Sequence, residues 1–429
     1  MLSIYRSSWL TILESLTSLS IVQLANYIMP LVLIPYLAKT IGIEKYGIIL
    51  VAQSFSMYFK VILDYGFNLT ATKQIAGCLG NRKGIDEIYI AIMLAKLGML
   101  PIVSGAYMAI VYIVPALSAH YRVYFYTLIY VVGDALTPVW FFQGIERMRY
   151  IAVISILPKM LYVFAVILTV SKPSEYLSVP LYYGLSSLLS AAFAMFILSY
   201  VYKYRLPFRC VNISVVKRSI KEGYYVFLSL LLSTILSNTP TVLAGVYLDA
   251  KWCGIFAISE RLLSGIKNII AVMSVGVFPR LSSVIKQGKK PFYRMWLFLA
   301  FMMIGVGGLL TEVVSHYSEL ILRIVFSIEN VEYSAVLSIR SISLFTMSLI
   351  HVTGFLSLLV LDYRKELAKS QIIPTGFFLV IAPMLLAVNR FTDFLYFLLA
   401  IDMAIIILRI LLLWKVEFWK ELSICWREE

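Results

Sequence analysis

Histidine and cysteine are scarce in this chain, with three and four residues among 429. His120, His316 and His351 are scattered, and Cys78, Cys210, Cys253 and Cys425 show neither metal-ligand spacing nor a paired framework. Free thiols and no metal site are therefore expected. Charge is scarce as well: 14% of residues are charged against 61% hydrophobic. There is no Gly-rich phosphate loop ending in Lys-Ser/Thr, no HExxH and no GxSxG. Lacking a nucleotide site, the chain cannot drive transport by its own ATP hydrolysis. An envelope acyltransferase or glycosyltransferase would need a clustered acid/base pair at one membrane face, and none stands out. The chain reads as a non-enzyme without cofactors. No loop is long enough to make a soluble domain, and no cleavable signal peptide is expected, because the apolar start continues into a full-length span.

What is abundant is apolar sequence. A mean hydropathy of +0.88 marks a polytopic membrane protein. Hydropathy predicts an all-α protein of about twelve spans, at 12–38, 43–69, 89–114, 122–145, 150–171, 176–201, 222–248, 253–279, 292–316, 332–361, 370–388 and 392–415. The charge of the connections supports this count. One side holds Lys73, Arg82, Lys83, Arg147, Arg149, Lys203, Arg205, Arg209, Lys217, Arg218, Lys221, Arg280, Lys286, Lys289, Lys290, Arg294, Arg364, Lys365 and Lys369, with Arg6, Lys415, Lys420 and Arg427 at the termini. The other holds only Lys39, Lys45, Arg122, Lys172, Lys251, Arg323 and Arg390. The positive-inside rule then places both termini in the cytoplasm. The net charge of +14 is mostly topology, basic residues beside anionic headgroups, and no nucleic-acid partner is implied.

The stretch from Gln23 to Ala76 organises the rest. It reads as two spans joined by a turn at Thr40–Gly42. The first carries Pro30 and Pro35, which suggest a helix bent beside a cavity. The second carries Gln53, Lys60 and Asp64. A cation midway through a span costs at least ~2.5–3.5 kcal/mol on insertion scales, so Lys60 needs a carboxylate, a water-filled cavity or an anionic substrate.

Lys203–Gly223, the longest and most basic connection, predicts a boundary between two six-span lobes, 1–210 and 211–429. Setting Gly47 on Gly254 aligns Ile48 with Ile255, Gln53 with Glu260 and Lys60 with Lys267, and mid-helix prolines, Pro30 and Pro240, lie in the preceding spans. Two parallel repeats would form lobes about an axis along the membrane normal, with a central cleft.

Intramembrane charge is where chemistry could reside. Candidate cations are Lys60, Lys96, Lys159, Arg261, Lys267, Arg340 and Arg409; candidate anions are Glu14, Asp64, Asp134, Glu260, Asp362 and Asp402. Gln53, Lys60 and Asp64 share one face of span two. Glu260, Ser264 and Lys267 repeat that stripe on span eight, with Arg261 about 100° round. Two readings stand: internal ion pairs, Lys60–Asp64 and Glu260–Lys267, that fix packing, or a cationic cleft for an anionic passenger. Arg261 has no carboxylate at i±4. Lys96, Arg340 and Arg409, nearer span ends, are expected to snorkel to the interface, and Lys159 could pair with Asp134. Asp64, Asp134 and Glu260 are the candidates for exchanging a proton or sodium ion. Tyrosines number 29, and Trp140, Phe141, Phe142 and Gln143 cluster near the end of span four. Aromatic faces with hydroxyls suit sugar rings, although interfacial belts account for most of them.

The motifs QxxNYxxPLxxxPYLxxxxG and DYGFNLTATxxIA, with FFQGIERMRY at Phe141–Tyr150 and FPRLSS at Phe278–Ser283, resemble the O-antigen flippases. These form the polysaccharide-transporter branch of the multidrug/oligosaccharidyl-lipid/polysaccharide exporter superfamily. The resemblance implies a two-lobed, alternating-access carrier of the bacterial inner membrane. Its passenger would be a polyprenyl-pyrophosphate-linked oligosaccharide moved from the cytoplasmic to the periplasmic leaflet. Candidate partners are that lipid-linked oligosaccharide, the bilayer, an O-antigen polymerase and a chain-length regulator. From spacing and depth, Lys60, Arg261 and Lys267 are assigned to the pyrophosphate. Gln53, Asp64, Asp134, Lys159 and Glu260 are assigned supporting or ion-coupling roles. Two alternatives remain. An ion-coupled exporter of cationic drugs would want an acidic cleft, and an envelope polysaccharide polymerase would want a large outer loop.

Overall fold

A computed structural model describes Val22, Ala25 and residues 28–30, 32–200, 213–326, 331–388 and 390–427. Among these, every regular element is helical, as expected for sequence whose backbone polar groups must be satisfied within each segment in lipid. Eleven helices are long and apolar enough to cross a membrane, and each overlaps one of the expected spans from the second to the twelfth. The first expected span lies mostly outside the described residues; its visible part is α1 (Ile28–Thr40), with Pro30 near its start and Pro35 within it.

The chain forms two compact units, Met1–Val246 and Tyr247–Glu429. The boundary expected at residue 210 lies outside the described residues. In the first unit α2 (Ile43–Asp64) begins after Gly42, whose φ of 86° favours glycine, and it stops at Tyr65 and Gly66, both left-handed. The chain continues as α3 (Phe67–Gly77), α4 (Arg82–Ile113), α5 (Pro115–Ser118), α6 (Tyr121–Leu136), α7 (Val139–Gly144), α8 (Met148–Thr169), α9 (Ser178–Tyr200) and α10 (Ile213–Tyr247). Asn81 caps α4 by accepting from the Gly84 amide at 3.2 Å. The basic connection expected to reach Gly223 is helical from Ile213 onward, a polar extension ahead of the apolar stretch Val226–Tyr247.

The second unit holds α11 (Ala250–Val284), α12 (Lys289–His316), α13 (Ser318–Phe326), α14 (Val331–Ile350), α15 (Arg364–Ala387), α16 (Phe391–Lys415) and α17 (Phe418–Arg427). Asp249 caps α11 through the Trp252 amide at 2.8 Å. A π-helical turn, His351–Leu359, prolongs α14.

The packing repeats. In the first unit α2 packs on α4 and α6, α4 on α6, α6 on α9, and α8 on α9. In the second, α11 packs on α12 and α14, α12 on α14, α14 on α16, and α15 on α16. The sequence register that sets Lys60 on Lys267 therefore sets α2 on α11 in equivalent surroundings.

Trp140, Phe141 and Phe142 are fully buried with Phe67, Ile75, Tyr89 and Ile92. They form neither an interfacial belt nor a sugar face. Adjacent aromatics on the short helix α7 plug the junction of α3, α4 and α8, where three large side chains fill volume that longer helices leave open.

Candidate functional site

In the first unit the charged side chains of α2 turn to two different neighbours. Lys60 donates to Asp134 Oδ1 of α6 at 2.9 Å and to the Tyr130 hydroxyl at 3.2 Å. Asp64 accepts from Lys96 of α4 at 3.2 Å. The expected Lys60–Asp64 pair is not formed. A lysine four residues before a carboxylate is the weaker order of an i,i+4 pair, and α4 and α6 both bring opposite charge against α2. Asp134 is thereby taken by Lys60, and Lys159 lies half-buried on α8. Gln53, half-buried two turns before Lys60, makes no hydrogen bond among the described residues.

The two pairs differ in exposure. The Lys96 and Asp64 side chains are 3% and 11% exposed, those of Lys60 and Asp134 31% and 32%. The first pair is sealed in the bundle, and the second is partly exposed. Tyr130 stacks on Tyr183 of α9 with ring centroids 4.3 Å apart, and Tyr162 of α8 meets Tyr183 at 5.5 Å. Close approach of α6 and α9 makes this stack possible: a Cβ at Gly133 would strike Ser187, and one at Gly184 would stand 2.8 Å from the Tyr126 carbonyl.

The second unit reverses the polarity. Here the acid, Glu260, is on α11 and a cation, Arg340, is on α14, 2.5 Å apart. Lys267 stands 3.8 Å from the other Glu260 oxygen, so the expected Glu260–Lys267 pair is present but beyond hydrogen-bond reach. Asp402 of α16 accepts from Thr346 at 2.9 Å and attracts both Arg340 and Lys267. Arg261, one residue from Glu260 on α11, is half-buried and makes no ion pair among the described residues.

The interfacial placement expected for Lys96, Arg340 and Arg409 is overturned: they are 2%, 5% and 3% exposed. Depth along a helix says how far a side chain would have to climb, but the face it occupies decides whether it can. Arg409 of α16 donates to the Ile350 carbonyl at 2.6 Å and to Ser370 Oγ at 3.1 Å, at the edge of the π-helical turn. An i→i+5 turn displaces carbonyls from their usual donors, and a guanidinium can supply the missing ones. A Cβ at Gly354 would collide with this guanidinium.

At the polar end of the first unit, a cavity of about 860 Å³ lies among α3, the start of α4 and the start of α10, with Lys73, Gln74, Arg218 and Glu222 in its walls. Glu222 accepts from Arg218 at 2.8 Å and from Gln74 at 2.7 Å. Those two hydrogen bonds, the Arg218 one foremost, hold its carboxyl below the usual range. Among the described residues no group of acids, histidines and cysteines could hold a metal ion.

Four similarities to known proteins bear on this arrangement. A family model described as "Polysaccharide biosynthesis protein" matches residues 12–285. A protein of Escherichia coli (strain K12) named "Putative O-antigen transporter" is 24% identical over 360 residues, covering 84% of this chain and 86% of that one. A Shigella dysenteriae protein of the same name is 25% identical over 272 residues, 63% of this chain and 67% of that one. A solved structure described as "Inward-facing conformation of a multidrug resistance MATE family transporter of the MOP superfamily" superposes with a TM-score of 0.64. It covers 92% of this chain and 99% of its own, and at 12% identity it shows a shared fold.

Proposed function

The chain belongs to the polysaccharide biosynthesis protein family, and on that footing we propose that it flips a polyprenyl-pyrophosphate-linked O-antigen unit across a bacterial inner membrane. It works as a carrier, not an enzyme, by alternating access from the cytoplasmic to the periplasmic leaflet, with both termini cytoplasmic. The carrying observation is the match over 84% of the chain to a protein named as an O-antigen transporter.

The charge network supports this reading. A pyrophosphate crossing a low-dielectric zone needs fixed cations that are not already neutralised. Arg261 has no carboxylate partner among the described residues, and Lys267 has only a 3.8 Å share of a Glu260 carboxylate that Arg340 also engages, so the cations here outnumber the acids. These two are assigned to the pyrophosphate. Of the acids considered for coupling to a proton or sodium gradient, Asp134 is the accessible one, whereas Asp64 is sealed against Lys96. The polyprenyl tail stays in lipid, and the delivered unit is presented to the polymerase and chain-length regulator outside.

Removing the chain from its cell tests this proposal. Lipid-linked oligosaccharide should accumulate with its sugar facing the cytoplasm, and unchanged pools with normal surface polysaccharide would reject it.

A further inference from the structure

The cavity among α3, α4 and α10 lies where apolar spans of the first unit end. Val226, which opens the apolar stretch of α10, lines it together with Leu69 and Ile88, and Leu69 is 61% exposed. The charged side chains in its walls are Lys73 of α3, Glu87 of α4, and Arg218 and Glu222 from the polar start of α10. A volume of about 860 Å³ is that of a small-molecule site.

Two of these charges are spent within the protein. Glu222 accepts from Arg218 with one oxygen and from Gln74 with the other, while Arg218 donates through Nε alone and keeps its Nη groups unspent. The other two are not. Lys73 is exposed, attracts Glu222 from a distance, and makes no hydrogen bond among the described residues. Glu87, also exposed, makes neither a hydrogen bond nor an ion pair among them. One cation and one acid therefore remain, beside apolar side chains at the level where the spans end. A pyrophosphate carries more negative charge than Lys73 can match and would face Glu87 besides. A headgroup with a phosphate alone leaves Glu87 without a countercharge. A lipid with one phosphate and one ammonium matches both signs and has apolar chains behind them.

We propose that this cavity seats the headgroup of an ammonium-bearing phospholipid from the surrounding leaflet, with the chemistry of phosphatidylethanolamine. The phosphate accepts from Lys73 and the Nη groups of Arg218, the ammonium donates to Glu87, and the acyl chains run over Leu69 and Val226. Seated there, the lipid ties α3, α4 and α10 together and stabilises the unit by mass action. It is a partner of the chain whatever passenger the chain carries.

The test mixes the full chain, purified in mild detergent, with one of four probes. Three are phosphatidylethanolamine, phosphatidylcholine and phosphatidylglycerol of identical acyl chains; the fourth is inorganic pyrophosphate. Native mass spectrometry counts bound lipid, and thermal unfolding reads the stabilisation. Phosphatidylethanolamine should bind about tenfold more tightly than either other lipid, because a methylated ammonium has no N–H for Glu87 and a glycerol headgroup has no ammonium. Lys73→Met should weaken its binding about tenfold. Glu87→Gln should erase the preference over phosphatidylglycerol without weakening phosphatidylglycerol itself. Both side chains are exposed and unbonded within the protein, so both variants should fold as the parent does. Four results would overturn the seat: phosphatidylglycerol binding as tightly as phosphatidylethanolamine, a preference that survives Glu87→Gln, binding untouched by Lys73→Met, or displacement of the lipid by pyrophosphate.

Discussion

Asp64 lies four residues beyond Lys60 on α2, yet its carboxylate meets Lys96 of α4 at 3.2 Å and leaves Lys60 to Asp134 of α6. The two pairs share a helix and differ in exposure: the Lys96–Asp64 pair is sealed in the bundle, and the Lys60–Asp134 pair is about a third exposed.

Removing one partner of the sealed pair strands a buried charge. Lys96→Ala should destabilise the protein by about 3–5 kcal/mol, and adding Asp64→Asn should restore most of the loss. Thermal unfolding in detergent, followed by size-exclusion profile, measures both. Asp64→Asn should not rescue Lys60→Ala, because Lys60 is not its partner.

Glu260 is shared by Arg340 at 2.5 Å and Lys267 at 3.8 Å, so its loss leaves the buried Arg340 and the half-buried Lys267 with Asp402 alone. Glu260→Gln should cost about 3–5 kcal/mol, whereas Lys267→Met, which leaves the Arg340–Glu260 bridge in place, should cost less than about 1.5 kcal/mol. Equal losses in the same unfolding assay would mean that Glu260 is not held chiefly by Arg340.

Much of this architecture was legible in advance, and the reason is specific. Apolar runs of twenty residues admit one structure in lipid, so span existence followed from hydropathy, and Gly42 marked the turn that its φ of 86° requires. Partner choice was legible within α11, where Glu260 and Lys267 pair as their spacing suggests, but not between helices. Lys60 and Asp134 are 74 residues apart, and Lys96 and Asp64 are 32 apart. Such pairings depend on which helix faces meet, which the i,i+4 rule does not describe. Arg340 and Arg409 were misplaced for the same reason: sequence gives depth in the bilayer, but packing gives the face. The signal that could have found Arg340 was the repeat itself. An acid at 260 where the first half has Gln53 implies a cation on the helix equivalent to α6.

Gly133 sets the spacing of α6 on α9. Gly133→Ala would place a methyl against Ser187 and against the α9 backbone at Leu188, 2.6 Å away. Overpacking of this kind costs about 1–3 kcal/mol. It should also part Tyr130 from Tyr183 and loosen the hydroxyl to which Lys60 donates, as read by thermal unfolding of the variant beside Tyr130→Phe.

Glu222 joins the polar start of α10 to α3 through Gln74, outside the apolar spans. Its folded-state carboxyl titrates below its unfolded value, so its contribution is complete above the ordinary carboxylate range and is lost as pH falls through the lower folded value. Hydrogen exchange at residues 213–224, corrected for intrinsic rate, should be constant from neutral pH down to about pH 5 and should quicken below the usual carboxylate range. Glu222→Gln should abolish that dependence.

The central claim is that this chain itself moves a lipid-linked oligosaccharide across a bilayer. Its most direct test is reconstitution of the purified chain into liposomes carrying labelled lipid-linked oligosaccharide in both leaflets, followed by a membrane-impermeant glycosidase. Nearly all of the label should be digested when the chain is present and about half when it is absent. Digestion that stops at about half in both would contradict the claim.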